Sequence, residues 1–366
     1  MEKLEQLKNL VNIKSFSLTE NKEIIEYLEN EFGKVATEII KIKNIGSDRE
    51  NLLIGLNCKL GNIDNALVLS GHIDTVTANE KEYNTNPYEA TIIDNKLYGL
   101  GSIDMKSYFA VILNNINELK QLDIPVFIAI TGDEETDFEG VNLITEKMKE
   151  LNIIPKLSII GEPTSSDICD KSKGCFEYKI EVFGKSCHSS NPNNGVNANY
   201  ILVKLILKIE ELSTKFDETT MSCNVISGGS KVNIISDYAI LKFDLRTYNT
   251  KIPEMVEEVM LSYCKELENE YSGSKITLTN EFKICPLQND NPKLIADISE
   301  KFNKQVKPFI GGCEAGYYAK VGGSAFVYGV GDLALAHKPN EYAEITEFTS
   351  YNDSFINFIT SAYNLA

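Results

Sequence analysis

The sequence predicts an α/β protein with a mostly parallel sheet, interrupted by an inserted α+β domain of ferredoxin-like order. Two observations carry this. Short continuous apolar runs, Ala66-Leu-Val-Leu-Ser70, Val126-Phe-Ile-Ala-Ile130 and Leu157-Ser-Ile-Ile160, alternate with helical periodicities. Strands buried on both faces belong to parallel sheets covered by helices. From about residue 175 the order becomes strand, helix, strand, strand, helix, strand, a self-contained ferredoxin-like unit. The expected layout is 1–173 and 284–366 for the α/β domain and 174–283 for the insert.

Taken in order, residues 2–13 and 20–32 have helical spacing, and the first buried run ends at Gly71-His72-Ile73-Asp74. Residues 90–99, with Asp94-Asn95 at the turn, read as a hairpin. A helix is expected over 106–120 and a second buried strand ends at Thr131-Gly-Asp-Glu134-Glu135. A helix over 139–150 leads to the third, ending at Gly161-Glu162-Pro163-Thr164. In the insert, Phe176-Glu-Tyr-Lys-Ile-Glu-Val-Phe183 alternates as a half-exposed strand does. A helix (196–212), strands (222–227, 237–246), a helix (252–269) and a strand (275–281) follow. The α/β pattern resumes with a helix over 293–304, a strand over 324–328, a loop to His337 and a closing helix over 347–363.

The balance of 36 basic against 53 acidic residues gives a net charge of −17. That argues against nucleic acid and against anionic membrane as partners. Solubility explains such a charge, and so does attraction of cationic small molecules. The charged start has no apolar signal core, and no apolar run reaches spanning length. Eight scattered cysteines without a C-x-x-C pair read as reduced thiols. The expected location is the cytoplasm.

Ligands of open α/β sheets bind beyond the carboxyl ends of the strands. His72, Asp74, Glu134, Glu135 and Glu162 all follow buried runs, and His337 lies a few residues beyond another. One crevice is therefore expected to gather them. Imidazoles and carboxylates suit zinc and other first-row ions. Two ions about 3.5–4 Å apart need a bridge, and Asp104 is read as that bridge, with one His and one Glu completing each site. Asp74 is placed to accept the second ring N–H of His72 and fix its tautomer. Of Glu134 and Glu135, one ligates and the other faces water as a proton carrier.

These residues lie in motifs with a familiar order. Gly71-His72-Ile73-Asp74-Thr75-Val76, Gly99-Leu-Gly-Ser-Ile-Asp104-Met105-Lys106, Gly132-Asp-Glu134-Glu135, Gly161-Glu162-Pro163-Thr164 and Ala336-His337-Lys-Pro-Asn-Glu341 resemble the M20 metallopeptidase family. Within it they resemble the acetylornithine deacetylase and succinyl-diaminopimelate desuccinylase group, on the deacetylase side. Gly184-Lys-Ser-Cys-His188-Ser-Ser-Asn-Pro192 and Gly312-Cys-Glu314-Ala315 add to this. The resemblance implies a catalytic domain with an inserted lid that forms a homodimer. It implies two divalent ions, zinc first and cobalt or manganese otherwise. One would sit on His72, Asp104 and Glu162, the other on Asp104, Glu135 and His337. It makes Glu134 the general acid/base and His188 an oxyanion donor, in its own or the partner's site; the plainer reading of His188 is a turn histidine. It also implies a cis peptide at Asp104-Met105.

Substrate contacts are expected from Arg246, Asn233 and Glu314. Arg246 suits a carboxylate, although a structural ion pair fits equally. Asn233, in Lys231-Val-Asn233-Ile-Ile, resembles the family's lid asparagine, with Ser236 where a proline is usual. Glu314 stands near the place where desuccinylases carry Ser-Asp-Ala/Gly-Arg. It favours a substrate with no second acidic arm and a cationic side chain such as ornithine, or it only shapes the loop. The implied reaction is hydrolysis of an N-acyl amino acid, N-acetylornithine first, as in arginine biosynthesis. A sibling aminoacylase, desuccinylase or dipeptidase, an inactive metal-binding dimeric scaffold and a metal-free binding protein are the alternatives.

Overall fold

The computed structural model describes residues 2–366. Two compact units divide them. The first holds the residues up to Ser172 and Leu287–Ala366; the second is Lys173–Pro286. The first unit begins with helices α1 (Glu5–Asn12) and α2 (Lys22–Gly33), then strands β1 (Glu38–Lys43), β2 (Glu50–Gly55) and β3 (Ile63–His72). A small hairpin, β4 (Thr91–Ile93) and β5 (Lys96–Tyr98), precedes helices α3 (Lys106–Asn114) and α4 (Ile116–Lys120). Strand β6 (Val126–Thr131), helix α5 (Glu139–Glu150) and strands β7 (Ile153–Ile160) and β8 (Ile168–Ser172) complete its first part. The second unit is β9 (Gly174–Phe183), α6 (Ala198–Ser213), β10 (Thr220–Gly228), β11 (Tyr238–Thr247), α7 (Ile252–Glu270) and β12 (Lys275–Ile284). The chain returns through β13 (Leu287–Gln288), α8 (Pro292–Phe302), β14 (Val306–Phe309), α9 (Ala315–Val321), β15 (Ser324–Val327), β16 (Tyr342–Glu344) and α10 (Ile345–Leu365).

The main sheet runs β1-β2-β6-β3-β7-β15-β8-β13. Its centre, β6-β3-β7-β15, is parallel; β3, β6 and β7 are the runs read as doubly buried strands, and β15 is the strand expected over 324–328. At the flanks β1 with β2, β2 with β6, and β8 with β15 and β13 are antiparallel, while β14 joins β8 in parallel off this path. The sequence reading assigned no strand to 38–55. Charges break that stretch (Glu38-Ile-Ile-Lys-Ile-Lys43), and its short hairpin connection forces antiparallel pairing. Helices of the first part and α10 bury Phe109, Phe348, Phe355 and Phe358 against this sheet in one core. Full burial of each such ring contributes roughly 1.5–3 kcal/mol.

Local chemistry explains the remaining departures. The helix expected over 106–120 is two helices, because Asn115 turns its Nδ2 back to the Val111 carbonyl at 2.9 Å and competes with the ladder. The 90–99 hairpin does turn at Asp94 and Asn95, whose φ values of 46° and 63° are both left-handed, as a tight hairpin turn demands. In the second unit the sheet order is β10-β11-β9-β12, wholly antiparallel, with α6 and α7 in its core. That is the ferredoxin-like arrangement. No helix among the described residues is long and apolar enough to cross a membrane.

Gly161 positions the end of β7. A Cβ there would lie 2.0 Å from the Tyr108 ring, whose hydroxyl bonds the Ile159 carbonyl at 3.1 Å. Gly161→Ala is therefore expected to cost about 1–3 kcal/mol and to lower the thermal unfolding midpoint. An unchanged midpoint would mean that Tyr108 moves aside freely.

Candidate metal centre

The site grows out of the carboxyl ends of β3, β6 and β7. His72 ends β3 and is fully buried. Its Nδ1 lies 2.9 Å from the Asp74 backbone carbonyl, so Nδ1 donates there and Nε2 is the nitrogen left to ligate a cation once its own proton has gone. That Nε2 faces Asp104 Oδ1 at 3.2 Å, Glu162 Oε1 at 3.6 Å and Glu134 Oε2 at 3.9 Å. The expectation for Asp74 needs correcting in detail. Its carboxylate stands 3.5 Å from Nδ1, while its main chain makes the close contact. The carboxylate accepts instead from the Glu134 and Glu135 amides, both at 3.2 Å, and from Ser17 Oγ at 2.7 Å. Burial would raise its pKa, but His72, Ser17 and the Glu135 amide win and hold it below its usual value.

Asp104 stands between the two histidines. Oδ1 faces His72 Nε2 at 3.2 Å and Oδ2 faces His337 Nε2 at 3.3 Å. His337 Nε2 also meets Glu135 Oε1 at 2.8 Å. The loop that carries Asp104 is held by Glu341, a residue quoted in the last motif but given no role there. Its carboxylate accepts from the amides of Gly101 (3.1 Å), Ile103 (2.9 Å) and Asp104 (3.3 Å). The Asp104–Met105 peptide bond is cis, as expected. His337 itself sits at φ 59°, on a half-exposed loop.

Three sets of donor atoms at this site each lie within 4.8 Å of one another: His72, Asp104 and Glu162; Asp104, Glu135 and His337; and His72, Glu134 and Glu135. The chemistry of the site fits two divalent cations. Burial pushes the Glu134 and Glu162 carboxyls well above their usual range, and each is pushed further by neighbouring carboxylates. Glu162 Oε1 is buried without a hydrogen-bond donor. Lys106, the cation nearest in sequence to Asp104, turns its Nζ to the Ile13 carbonyl at 2.7 Å. Buried like charges of this density need a positive ion or a proton.

The remaining expected contacts lie elsewhere. His188, Asn233 and Arg246 belong to the second unit. His188 is exposed, with Nδ1 accepting from the Ser190 amide at 3.2 Å. It sits on a bridge to Ile234 beside Asn233, whose carbonyl accepts from Ser189 N at 3.1 Å. Arg246 holds Asp244 through Nε at 2.9 and 3.0 Å. Glu314 is a correction. It is fully buried and its carboxylate is engaged by the hydroxyls of Ser70, at 3.0 Å, and Thr131. Burial pushes it up to about 7. It lies under the ends of β3 and β6 rather than on a substrate surface, because α9 starts directly after it.

A match to Peptidase family M20/M25/M40 spans residues 68–360. The chain belongs to this family and is a hydrolase of it. An acetylornithine deacetylase of Buchnera aphidicola subsp. Acyrthosiphon pisum is 31% identical over 365 residues, covering 93% of each chain. Aminopeptidase PepT from Bacillus cereus has a TM-score of 0.74 at 20% identity, over 98% of each chain. A dinuclear metal-binding M20 peptidase of Bacillus subtilis has a TM-score of 0.67 at 15% identity, over 100% of this chain and 98% of that one. The two structural likenesses concern the M20 fold.

Protons compete for this centre. Hydrogen bonds donated to the Asp104 and Glu135 carboxylates push the His337 imidazole up to about 10 in the metal-free protein. It is then charged at neutral pH, and a cation can use its Nε2 only after that proton leaves. Metal affinity should rise as pH approaches the raised pKa and fall as pH drops. Calorimetric titration with Zn²⁺ at about pH 8 in two buffers of different ionisation enthalpy should show proton release. Equal heats in both buffers would remove His337 from the ligand set.

Proposed function

We propose that the protein is a two-metal amidohydrolase that deacylates N-acyl amino acids, with N-acetylornithine as its principal substrate and ornithine and acetate as products. The observation that carries the reading is Asp104 facing both His72 and His337 while Glu134 lies buried beside them. The deacetylase named above supports the substrate. Zinc is the preferred ion, and the ligands are read as His72, Asp104 and Glu162 for one ion and Asp104, Glu135 and His337 for the other. The eight free thiols and the net charge of −17 suit a cytoplasmic enzyme of arginine biosynthesis acting on small molecules, not on nucleic acid.

Divalent ions in such a site supply Lewis-acid polarisation of the scissile carbonyl and acidify water. The protein's own groups do the rest. Glu134 Oε2 stands 3.9 Å from His72 Nε2, and a carboxylate there can take a proton from water and pass it to the leaving amine. Asp74 keeps the amides of Glu134 and Glu135 in place and, through its carbonyl, holds the His72 tautomer. His188 accepts at Nδ1, so its proton sits on Nε2 and can be donated to an oxyanion. Arg246 and Asn233 are read as contacts for the substrate carboxylate from the inserted unit. Glu314 supports the strand ends from beneath.

Glu134→Gln should retain metal and lose about 10²–10⁴-fold in kcat; substantial residual turnover would remove its role. On the wild-type protein, a metal-reconstituted panel led by N-acetylornithine, N-succinyl-diaminopimelate and dipeptides decides the substrate. Preference for a dipeptide would favour the peptidase reading instead.

The inserted unit is read as a lid and as the seat of a homodimer. Strand β10 is an edge of its sheet, and Val225 and Ile226 on it are at least half exposed. Tyr200, Val203 and Leu207 on α6, which packs against β10, are each more than half exposed at helical spacing. An apolar helix stripe beside an open strand edge is a self-pairing surface. Light scattering after size exclusion should give a dimer, and Leu207→Glu should shift it towards monomer. A monomeric wild type would refute this.

A further inference from the structure

The chain has only two arginines, and the metal centre described above uses neither. Arg49 sits in the turn between β1 and β2, at the flank of the sheet. Its side chain is 13% exposed and reaches Asp133, the residue before Glu134. Arg49 Nε lies 3.1 Å from Asp133 Oδ2, and Nη1 donates to Oδ1 at 3.2 Å. The same carboxylate accepts from Asn44 Nδ2 at 2.6 Å and from the Leu18 amide at 3.0 Å. The Nε N–H donates to Ser47 Oγ at 3.2 Å, so the guanidinium holds Asp133 by one hydrogen bond and one close ion contact while Ser47 of the same turn fixes its orientation.

The turn makes a second attachment. Asn51 accepts the Gly132 amide at 2.8 Å and donates to Asn44 Oδ1 at 2.6 Å. Residues 132–135 are thus pinned one by one. Gly132 is held by Asn51, Asp133 by Arg49 and Asn44, and the Glu134 and Glu135 amides by Asp74 at 3.2 Å each. The pinning has a backbone reason. Asp133 adopts φ 63°, a left-handed conformation that a residue with a Cβ does not favour unless its surroundings hold it there. Asp133, Asp137 and Glu139 also have the donor spacing of a cation site. The guanidinium already stands there, 4.0 Å from Glu139 Oε2.

We infer that Arg49 is a positioning residue: by clamping Asp133 from the β1–β2 turn it sets the placement of Glu134 and Glu135. This rests on the reading of Glu134 as proton carrier and Glu135 as metal ligand.

The test uses full-length Arg49→Ala and Arg49→Lys, loaded with cobalt. Cobalt affinity, read from the visible absorption titration, should fall about 10–100-fold in Arg49→Ala. With whichever panel substrate the wild type hydrolyses, kcat should fall by a similar factor while KM holds. Added guanidinium should restore part of the lost kcat. Arg49→Lys should fall between, because an ammonium keeps the charge but not the planar fork that spans Ser47 and Asp133, and it serves as the measured variant if Arg49→Ala does not fold. Wild-type cobalt affinity and kcat in a folded variant would overturn the inference. So would a lowered melting temperature with unchanged kcat per folded molecule. If the wild type hydrolyses nothing in the panel, the functional reading fails, and the cobalt titration still decides the clamp.

Discussion

Concentrating carboxylates at the end of a buried parallel sheet is the constraint around which this protein is organised. Asp104, Glu134 and Glu162 are buried together with His72, and Asp74 lies beside them. Water cannot solvate such a cluster, and mutual repulsion opposes its assembly. Cations or protons must complete it. The shared position of Asp104, one oxygen towards each histidine, turns that electrostatic demand into a geometry for two ions.

Much of the surrounding structure exists to hold these charges still. Glu341 gathers the amides of the Asp104 loop, Asp74 gathers those of Glu134 and Glu135, and the β1–β2 turn holds Gly132 and Asp133. The donors win only at Asp74, which His72, Ser17 and the Glu135 amide hold below its usual range. Burial still pushes Glu341 up to about 7 and Asp133 above its usual range, in spite of the amides and the guanidinium around them. Glu134 and Glu162 in the inner ring, raised by burial and by neighbouring carboxylates, lean on what binds there.

The fold and the inner ring were largely legible beforehand. Continuous apolar runs identify doubly buried strands, and acidic or histidine clusters directly after them must gather at one sheet end. Elements with charge-broken patterns were less legible. Strand β1 mixes Lys and Glu with Ile because it is the edge of the sheet, and β2 offers only Leu52-Leu-Ile54 as an apolar run, too short to stand out. The short α9, Ala315–Val321, offers too few turns for periodicity to register.

The amino-acid sequence by itself determined which residues are grouped: His72, Asp104, Glu134, Glu135, Glu162 and His337 follow from strand ends and motif order. Only the tertiary structure decided which atoms meet. It gave the His72 Nδ1 proton to the Asp74 carbonyl, with the carboxylate turned to the next loop. It sank Glu314 beneath the strands and, by pairing β2 antiparallel with β6, set Arg49 beside Asp133. Periodicity fixes the face and the end of a sheet on which a side chain lies. Hydrogen-bond partners depend on how loops far apart in sequence approach, and no local pattern encodes that distance.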